Sequence, residues 1–428
     1  MIKVSSRGVA VLALIDRVVS KALGRAVSPG EIVVVSIDAV YAQDGTAPLV
    51  IDVVEKELGF KRSVVVDKAY FFIDHSAPAP HVAAATVHKE MRRFAKEYGV
   101  KLFDVGYGIS HQVVVEEGLV RPGMIVVGAD SHTPTIGALG VYATGVGSTD
   151  AAIAMMFGKL WLRIPETVKV ALHGPLPRGV MSKDIALYII GDVGTDGMLG
   201  KAVEFRGDSL KELSIDSRMT LTNMCTEMSA ESAIMPVDEV ARKWLAERGY
   251  NAFRSVEWDK EEGYVDEIPV EVSKLEPLVA APPDVDNVKS VDEVSDTEVD
   301  QVFIGSCTNG RLEDIEVATK ILHKRRVKEG VRCIVAPASR RVYVEALKRG
   351  YIDMLIEAGC VVAPPTCGPC VGAHMGLLAA GEVAIATTNR NFPGRMGHRE
   401  SKVYLASPAV AAASAVEGKI ADPRRYLS

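Results

Sequence analysis

Three cysteines of the chain stand at positions from which they can share one metal centre. Cys367 and Cys370 belong to a Cys-Gly-Pro-Cys segment, and Cys307 lies far upstream in a loop of small residues after the apolar run 302–304. Three thiolates can hold a [4Fe–4S] cluster in which one iron lacks a protein ligand. The same residues also allow a zinc ion with His374 as fourth ligand, or a redox disulfide between Cys367 and Cys370. Spacing alone leaves these three interpretations open.

Acidic and imidazole side chains recur where predicted strands end. An Asp-His pair at 74–75 follows the apolar stretch 70–73, and Asp-Ser-His at 130–132 follows the stretch 124–127. Ligands approach open α/β sheets at the carboxyl ends of their strands. These side chains are therefore candidates for proton transfer to and from a bound molecule.

Two further groups of polar residues suit a substrate that carries carboxylates. Arg390 and Arg395 lie on one predicted loop, and planar guanidinium groups hold carboxylates bidentately. Asn223 and Glu227 stand four residues apart in an apolar region, so on a helix they would share one face. For that buried carboxylate, pairing within the core is the plainer interpretation and a role in a site is the alternative.

Five motifs, in this order along the chain, resemble those of the aconitase superfamily. They are Asp-His at 74–75, Gly-Ala-Asp-Ser-His-Thr-Pro at 128–134, Gly-Ser-Cys-Thr-Asn-Gly at 305–310, Cys-Gly-Pro-Cys at 367–370 and Thr-Asn-Arg-Asn-Phe-Pro-Gly-Arg at 388–395. The likeness covers nearly the whole chain. It is greatest to the large subunits of 3-isopropylmalate dehydratases and homoaconitases, and it favours the cluster over zinc and redox chemistry.

The resemblance implies a role for each matching residue. Cys307, Cys367 and Cys370 match the cluster ligands, and His75 matches the acid that protonates the departing hydroxyl. The matching acid–base pairs are Asp74 with His75, Asp130 with His111, and His132 with Glu227. The residues that match the remaining substrate and cluster contacts are Gln43, Ser131, Asn223, Asn309, Asn389, Arg390 and Arg395.

The implied reaction is a reversible dehydration and rehydration of a small 2-hydroxy di- or tricarboxylic acid. The open iron would act as a Lewis acid, an imidazole would protonate the leaving hydroxyl, and a base would take a proton from the adjacent carbon. The leading expectation is a hydro-lyase of leucine biosynthesis that converts 2-isopropylmalate to 3-isopropylmalate through 2-isopropylmaleate. The large subunits of homoaconitase, aconitase-type enzymes and methylated-malate hydratases are alternatives. A thiol–disulfide oxidoreductase and a non-catalytic iron sensor are alternatives of a different class.

A protein partner is also implied by the resemblance. In single-chain aconitases, a fourth, swivelling domain supplies a serine base and the arginines that grip the far carboxylate. The residues after Arg395 are too few to form that domain. We therefore expect a separate small subunit, in a heterodimer or heterotetramer, which completes the site and carries much of the substrate specificity.

The composition is typical of a globular protein and excludes several function classes. Of 428 residues, 48% are hydrophobic and 24% charged, and no apolar run approaches the ~18 residues of a membrane span. The net charge of −6 is unfavourable for nucleic-acid binding. Six irregularly spaced cysteines do not form a secreted disulfide framework, which favours the cytoplasm. The low content of Asn and Gln suggests a thermophilic source.

The elements that must position these residues are predicted to alternate between strand and helix. β-branched runs separated by helices indicate an α/β fold with three α/β/α-type domains, and the resemblance makes this the aconitase large-subunit fold around a central iron–sulfur cleft. The expected domains are 1–164, 165–282 and 299–428, with an acidic, proline-bearing connector at 283–298 that is not expected to contain a packed element. Strands expected in the first domain include 31–37, 63–66 and 70–73, and a helix is expected at 47–58.

Two other features have simpler predicted roles. Four glycines between 137 and 147 indicate close backbone packing beneath a cofactor, since no Walker pattern accompanies them. Cys333 and Cys360 fall in predicted strands and are expected to be buried thiols, although Cys360 is also a rival cluster ligand.

Overall fold

Three sheets and a separate two-stranded ribbon organise the chain. The computed structural model describes residues 12–61, 68–254 and 256–427, and the expected strand at 63–66 lies outside them. Within these ranges helices alternate with the strands. The predicted α/β class is confirmed. No helix in the described ranges is long and apolar enough to cross a membrane.

The first sheet consists of five parallel strands. Their spatial order is Lys101–Phe103, Ala69–Phe72, Ala39–Gln43, Ile125–Gly128 and Tyr142–Gly145. The helices of this part are Leu14–Leu23, Ala47–Asp52, Val82–Tyr98, Ser110–Glu116 and Ser148–Phe157. The expected helix at 47–58 is continued beyond Asp52 by a π-helical segment, Val53–Glu57. Because all five strands are parallel, their carboxyl ends meet at one edge, where Gln43, His75 and Asp130 lie.

The expected buried strand at 31–37 belongs to the ribbon instead. Ile32–Ser36 pairs antiparallel with Lys159–Arg163, and its residues alternate between exposed and buried. The central strand of the first sheet, Ala39–Gln43, was not predicted, although all five of its residues are buried. The valine-rich run has the higher strand propensity, which is why it was expected to be the buried strand. Which strand has a neighbouring strand on both sides depends on the tertiary fold.

The second sheet contains four parallel strands. Their spatial order is Ser232–Ile234, Lys201–Arg206, Glu166–His173 and Tyr264–Glu271. Its helices are Ser182–Val193 and Ile215–Met224. A third helix, Glu239–Glu247, packs Ala241 and Leu245 into the core of the first sheet. Part of the segment that was expected to form the second domain therefore stabilises the first.

The third sheet contains seven strands and corrects the prediction for the connector. The spatial order is Val288–Ser290, Leu278–Ala280, Lys402–Ala406, Val383–Ala386, Gln301–Ile304, Arg332–Val335 and Val361–Val362. The helices are Ser306–Asn309, Leu312–Leu322, Arg340–Lys348, Tyr351–Ala358 and Pro408–Glu417. The stretch 283–298 contains the edge strand Val288–Ser290 and the buried Val285 and Val291. Prolines and acids suggested a linker, but antiparallel pairing to Leu278–Ala280 gives the stretch a packed role.

The glycines between 137 and 147 provide close backbone packing as expected, and two of them, Gly145 and Gly147, line the cleft described below. A Cβ at Gly137 would collide with the carbonyl oxygen of Ala233, in a strand of the second sheet. A Cβ at Gly145 would lie 2.7 Å from the carbonyl oxygen of Asp130. These contacts hold the first and second sheets together and fix the loop that carries Asp130.

Candidate active site

One cleft collects most of the predicted site residues. It has a volume of about 1000 Å³ and lies where loops after the first-sheet strands face loops of the third sheet. The predicted residues that line it are Gln43, His75, His111, Asp130, Ser131, His132, Cys307, Cys367, Cys370, Asn389, Arg390 and Arg395. The other predicted residues, Asp74, Asn223, Glu227 and Asn309, are buried nearby.

Sharp turns bring the three thiols into this cleft. After strand Gln301–Ile304 the backbone turns at Ser306, which adopts a positive φ of 74°, and Cys307 follows. Cys367 precedes a short 3₁₀ turn, Gly368–Val371, that contains Cys370. The amide of Cys367 donates to the carbonyl oxygen of Asp74 over 2.8 Å, so the cysteine loop is bonded to the first-sheet loop opposite.

The arrangement of the thiols disfavours two of the three interpretations. In residues 12–61, 68–254 and 256–427, one group of three potential metal ligands has its ligand atoms within 4.8 Å of one another, and it consists of Asp44, Asp74 and His75. The sulfurs of Cys307, Cys367 and Cys370 therefore do not all lie that close together. Thiolates on one zinc ion are about 3.8 Å apart, whereas a four-iron cube separates them further. The four-residue turn after Cys367 also lacks the long helix that usually follows a thioredoxin-type pair.

Hydrogen-bond donors around the sulfurs suit ligands that carry negative charge. Asn223 Nδ2 lies 3.3 Å and Asn389 Nδ2 3.6 Å from Cys307 Sγ, and Arg395 Nη2 lies 3.9 Å from Cys370 Sγ. The Nε atom of Arg395 is buried and, in the described part of the chain, has no hydrogen-bond partner. Three donors directed at two of the three sulfurs, with the Nε of Arg395 left over, fit an iron–sulfur cluster, whose sulfurs accept hydrogen bonds.

The pair Asp74 and His75 is arranged to hold a proton over the cleft. His75 Nδ1 donates to Asp74 Oδ1 over 2.7 Å, and Asp74 Oδ2 accepts from the amide of Ser110 over 2.7 Å. Burial by itself lowers the pKa of His75, but the charges of Asp74 and Asp130 outweigh it and raise the pKa to about 10. The ring is therefore an imidazolium near neutral pH, with Nε2 available as the acid.

Asp130 connects several predicted side chains. Its Oδ1 lies 3.1 Å from His111 Nε2 and accepts from the amide of His132 over 2.8 Å, and its Oδ2 accepts from Gln43 Nε2 over 3.3 Å. Burial alone would raise the pKa of Asp130, yet His111, His132 and His75 hold it well below its ordinary value. The carboxylate thus stays ionised and orients the imidazoles around it.

The third pair, His132 and Glu227, extends to an arginine of the third sheet. His132 Nε2 lies 2.7 Å from Glu227 Oε1, and Arg390 Nε donates to Glu227 Oε2 over 3.0 Å. The shared helical face expected for Asn223 and Glu227 is not formed, because the helix ends at Met224 and Glu227 lies in a 3₁₀ turn. The carboxylate nevertheless faces the site, since His132 and Arg390 approach it from two other segments.

Other predicted side chains have positions that differ from expectation. Asn309 donates to Thr220 Oγ1 over 3.2 Å and to Asp314 Oδ1 over 3.0 Å, and it does not line the cleft. Cys333 and Cys360 are buried as expected, with their sulfurs 3.0 Å apart in a separate core of the third sheet. Cys360 is therefore not placed as a cluster ligand.

Arg311 was not identified from the sequence and secures the loop of Cys307. Its side chain is fully buried and donates to the carbonyl oxygens of Cys307 and Thr308 over 2.5 Å each. A third hydrogen bond, from Nε to Gln112 Oε1, spans 3.0 Å and joins this loop to the first sheet. No sequence pattern indicated this, because an arginine at a helix start is usually solvated.

Asp44 is a second residue that was not identified, and it supports His75. Its Oδ1 accepts from the amide of His75 over 2.8 Å, and its Oδ2 accepts from the amide of Ser76 over 2.8 Å and lies 3.3 Å from His88 Nε2. It directly follows the buried strand Ala39–Gln43, the same position after a strand that identified Asp74 and Asp130. The signal was present, but the strand that reveals it was missed.

We expect Asp44→Asn to lower the free energy of unfolding by about 2–3 kcal/mol at neutral pH, since charge-assisted hydrogen bonds are lost. Burial opposes ionisation, but His88 and His75 hold the pKa of Asp44 below its ordinary 3.8. The ionised Asp44 therefore contributes its full stabilisation well above pH 3.8, and this contribution is lost as the pH falls through 3.8 towards the folded pKa. Denaturant unfolding of the wild-type chain and Asp44→Asn at several pH values measures the difference in free energy of unfolding. An equal difference at neutral and acidic pH would contradict the assignment.

Comparisons with known proteins identify the family to which the chain belongs. The model of the aconitase family (aconitate hydratase) matches residues 16–298 and 284–418. The 3-isopropylmalate dehydratase large subunit 1 of Methanopyrus kandleri is 50% identical over 96% of this chain and 99% of that protein. The large subunit 1 of Thermotoga maritima is 49% identical over 97% and 99%, and the large subunit 2 of Archaeoglobus fulgidus is 51% identical over 93% and 95%.

A solved structure shares the fold at much lower identity. The holo-form of Thermococcus kodakaraensis aconitase X is 14% identical, with a TM-score of 0.50 over 83% of this chain and 84% of that one. The family model and the relatives together cover nearly all of the sequence, so the predicted resemblance is confirmed. This chain belongs to the aconitase family, whose members carry a [4Fe–4S] cluster.

Proposed function

We propose that this chain is the large subunit of a hydro-lyase that isomerises 2-isopropylmalate to 3-isopropylmalate, through 2-isopropylmaleate, in leucine biosynthesis. The observation that carries the proposal is the convergence of three thiols and three imidazole–carboxylate pairs on one cleft. Relatives at about 50% identity that bear the name of this enzyme support the choice of substrate.

Cys307, Cys367 and Cys370 would hold the cluster, leaving one iron without a protein ligand. A cluster held in this way supplies Lewis acidity for a hydroxyl and a carboxylate of the substrate. His75, kept protonated by Asp74, gives its Nε2 proton to the departing hydroxyl and takes it back on rehydration. The site can thus remove and return water with a single proton donor.

The substrate's carboxylates would be bound by groups on two sides of the cleft. Arg395 Nε is buried without a partner in the described residues, and Arg390 reaches Ser131 Oγ over 3.3 Å. Guanidinium groups in a partly buried site bind carboxylates strongly because their N–H fork matches the two oxygens. The Glu227 carboxylate keeps Arg390 in place at 3.0 Å.

A small subunit would close the cleft and supply the base, in an assembly that we place in the cytoplasm. The rim includes residues 160–163 of the ribbon. Ile32, Val34 and Trp161 share one face of the ribbon, because Val34 pairs directly with Trp161, and they are 66%, 62% and 59% exposed. An exposed apolar face beside an open cleft is typical of a protein interface.

We expect Trp161→Glu to weaken association with the small subunit by about tenfold or more, because a charge replaces an aromatic contact. Iron content of the large subunit is expected to stay unchanged, since Trp161 lies on the ribbon strand Lys159–Arg163 and not on the loops that carry the thiols. Leu347→Glu, on the helix Arg340–Lys348 and 49% exposed, is the matched control. Calorimetry or analytical ultracentrifugation measures the affinity, and equal binding by both variants would remove the ribbon from the interface.

The function itself is tested by co-expressing this chain with the small-subunit gene of the same genome, followed by anaerobic reconstitution. The complex is assayed with 2-isopropylmalate, homocitrate, citrate and a methylated malate. We expect turnover with 2-isopropylmalate and the highest kcat/KM for it. A higher kcat/KM for one of the other acids would reassign the substrate, and no turnover of any of them would reject the enzyme.

A further inference from the structure

Lys183 is a fully buried cation that lies behind the cleft and has no role in the mechanism above. It is the second residue of helix Ser182–Val193, and its side chain has no exposed surface. Its Nζ donates to the carbonyl oxygen of Thr387 over 3.3 Å and to that of Thr388. Both acceptors are neutral backbone groups, so these hydrogen bonds do not balance the charge of the ammonium.

The segment that Lys183 holds also carries cluster contacts. Thr387 Oγ1 accepts from the amide of Gly305 over 2.9 Å, at the turn before Cys307. Asn389, the next residue after the two carbonyls, donates to Cys307 Sγ over 3.6 Å. Lys183 therefore joins the second-sheet helix to the two segments that surround Cys307.

The negative charges that act on Lys183 come mainly from the site. Burial lowers the pKa of Lys183 to about 8, while Cys370, then Glu227 and Cys307, act to raise it. A buried ammonium without a countercharge costs several kcal/mol. Thiolates that ligate iron provide such a countercharge, because they remain ionised as long as the metal is bound.

We propose that Lys183 is a positioning residue that fixes the loop 387–389 beside Cys307 and supplies a buried positive charge opposite the thiolate-ligated cluster. This inference rests on the proposed cluster site. A positive charge behind the ligands favours the more negative, reduced state of a cluster and raises its reduction potential. The loop contact, in turn, keeps the donors to sulfur in place and slows the loss of iron.

The test separates the charge from the hydrogen bonds. Lys183→Met removes both, Lys183→Gln keeps N–H donors without charge, and Lys183→Arg keeps the charge. Lys320→Met, at a lysine 61% exposed on helix Leu312–Leu322, is the control. Each full-length chain is reconstituted anaerobically with ferrous iron and sulfide. The cluster's potential is then measured by titration monitored with electron paramagnetic resonance, and iron release to a chelator is followed separately.

We expect the potential to shift negatively in both Lys183→Met and Lys183→Gln, and to recover in Lys183→Arg. Iron affinity should fall by about 10- to 100-fold in Lys183→Met. Thermal unfolding of the apo chains identifies a variant that does not fold. If Lys183→Met does not fold, Lys183→Gln and Lys183→Arg still separate the effect of the charge from that of the hydrogen bonds. A wild-type potential in Lys183→Gln would overturn the role of the charge. Failure of the wild-type chain to assemble a cluster would overturn the site itself.

Discussion

Cys307→Ala is expected to abolish cluster assembly and, with it, all turnover by the complex. Two remaining thiols cannot hold a four-iron cube that already has one iron without a protein ligand, and no other cysteine in the described residues lines the cleft. Cys333 and Cys360 belong to the core on another face of the third sheet, and the sulfur of Cys225 donates to the carbonyl oxygen of Leu221.

Iron and sulfide per chain, together with visible absorbance after anaerobic reconstitution, measure this effect. Cys225→Ala is the matched control, because it also removes one fully buried thiol but leaves the cleft intact. We expect the control to retain wild-type iron content. Equal iron in Cys307→Ala and the wild-type chain would refute the three-cysteine site, and equal losses in both variants would point to general destabilisation.

His75→Gln is expected to lower kcat by about 10²- to 10⁴-fold while the cluster and the assembly remain. The ring is the donor whose pKa is raised to about 10 by Asp74 and Asp130, so the wild-type acid stays protonated across neutral pH. The rate should therefore fall as the pH rises through about 10. The low residual rate of His75→Gln should not show this decline, because glutamine has no proton to lose.

The pH dependence of kcat for the complex, with iron content measured on the same sample, tests this assignment. His173→Gln is the control, since His173 is partly exposed and lies 3.1 Å from Asp208, away from the residues that line the cleft. We expect the control to keep the wild-type rate and pH profile. A His75→Gln enzyme with near wild-type kcat would require another acid.

Much of the site was predictable because its residues occur in short contiguous motifs. Asp74 and His75 are neighbours, as are Ser131 and His132, and Cys367 and Cys370 lie three apart, so local spacing already brings their side chains together. Each motif also follows a strand or precedes a turn. These strands and turns can be recognised in the sequence because apolar runs alternate with stretches of small residues. Arg390 and Arg395 were recognised for the same reason.

The sequence by itself determined the α/β class, the family and the residue types that can hold a cluster and move a proton. The tertiary structure alone decided that Ala39–Gln43 is the central strand, that 288–290 pairs into the third sheet and that the valine-rich run forms a ribbon with one exposed face. It also placed Asp44, Lys183 and Arg311 behind the cleft and turned Asn309 away from it. The physical reason is that burial and countercharge depend on contacts between residues far apart in the chain. Secondary-structure propensity and motif spacing depend only on residues that are close together in the chain.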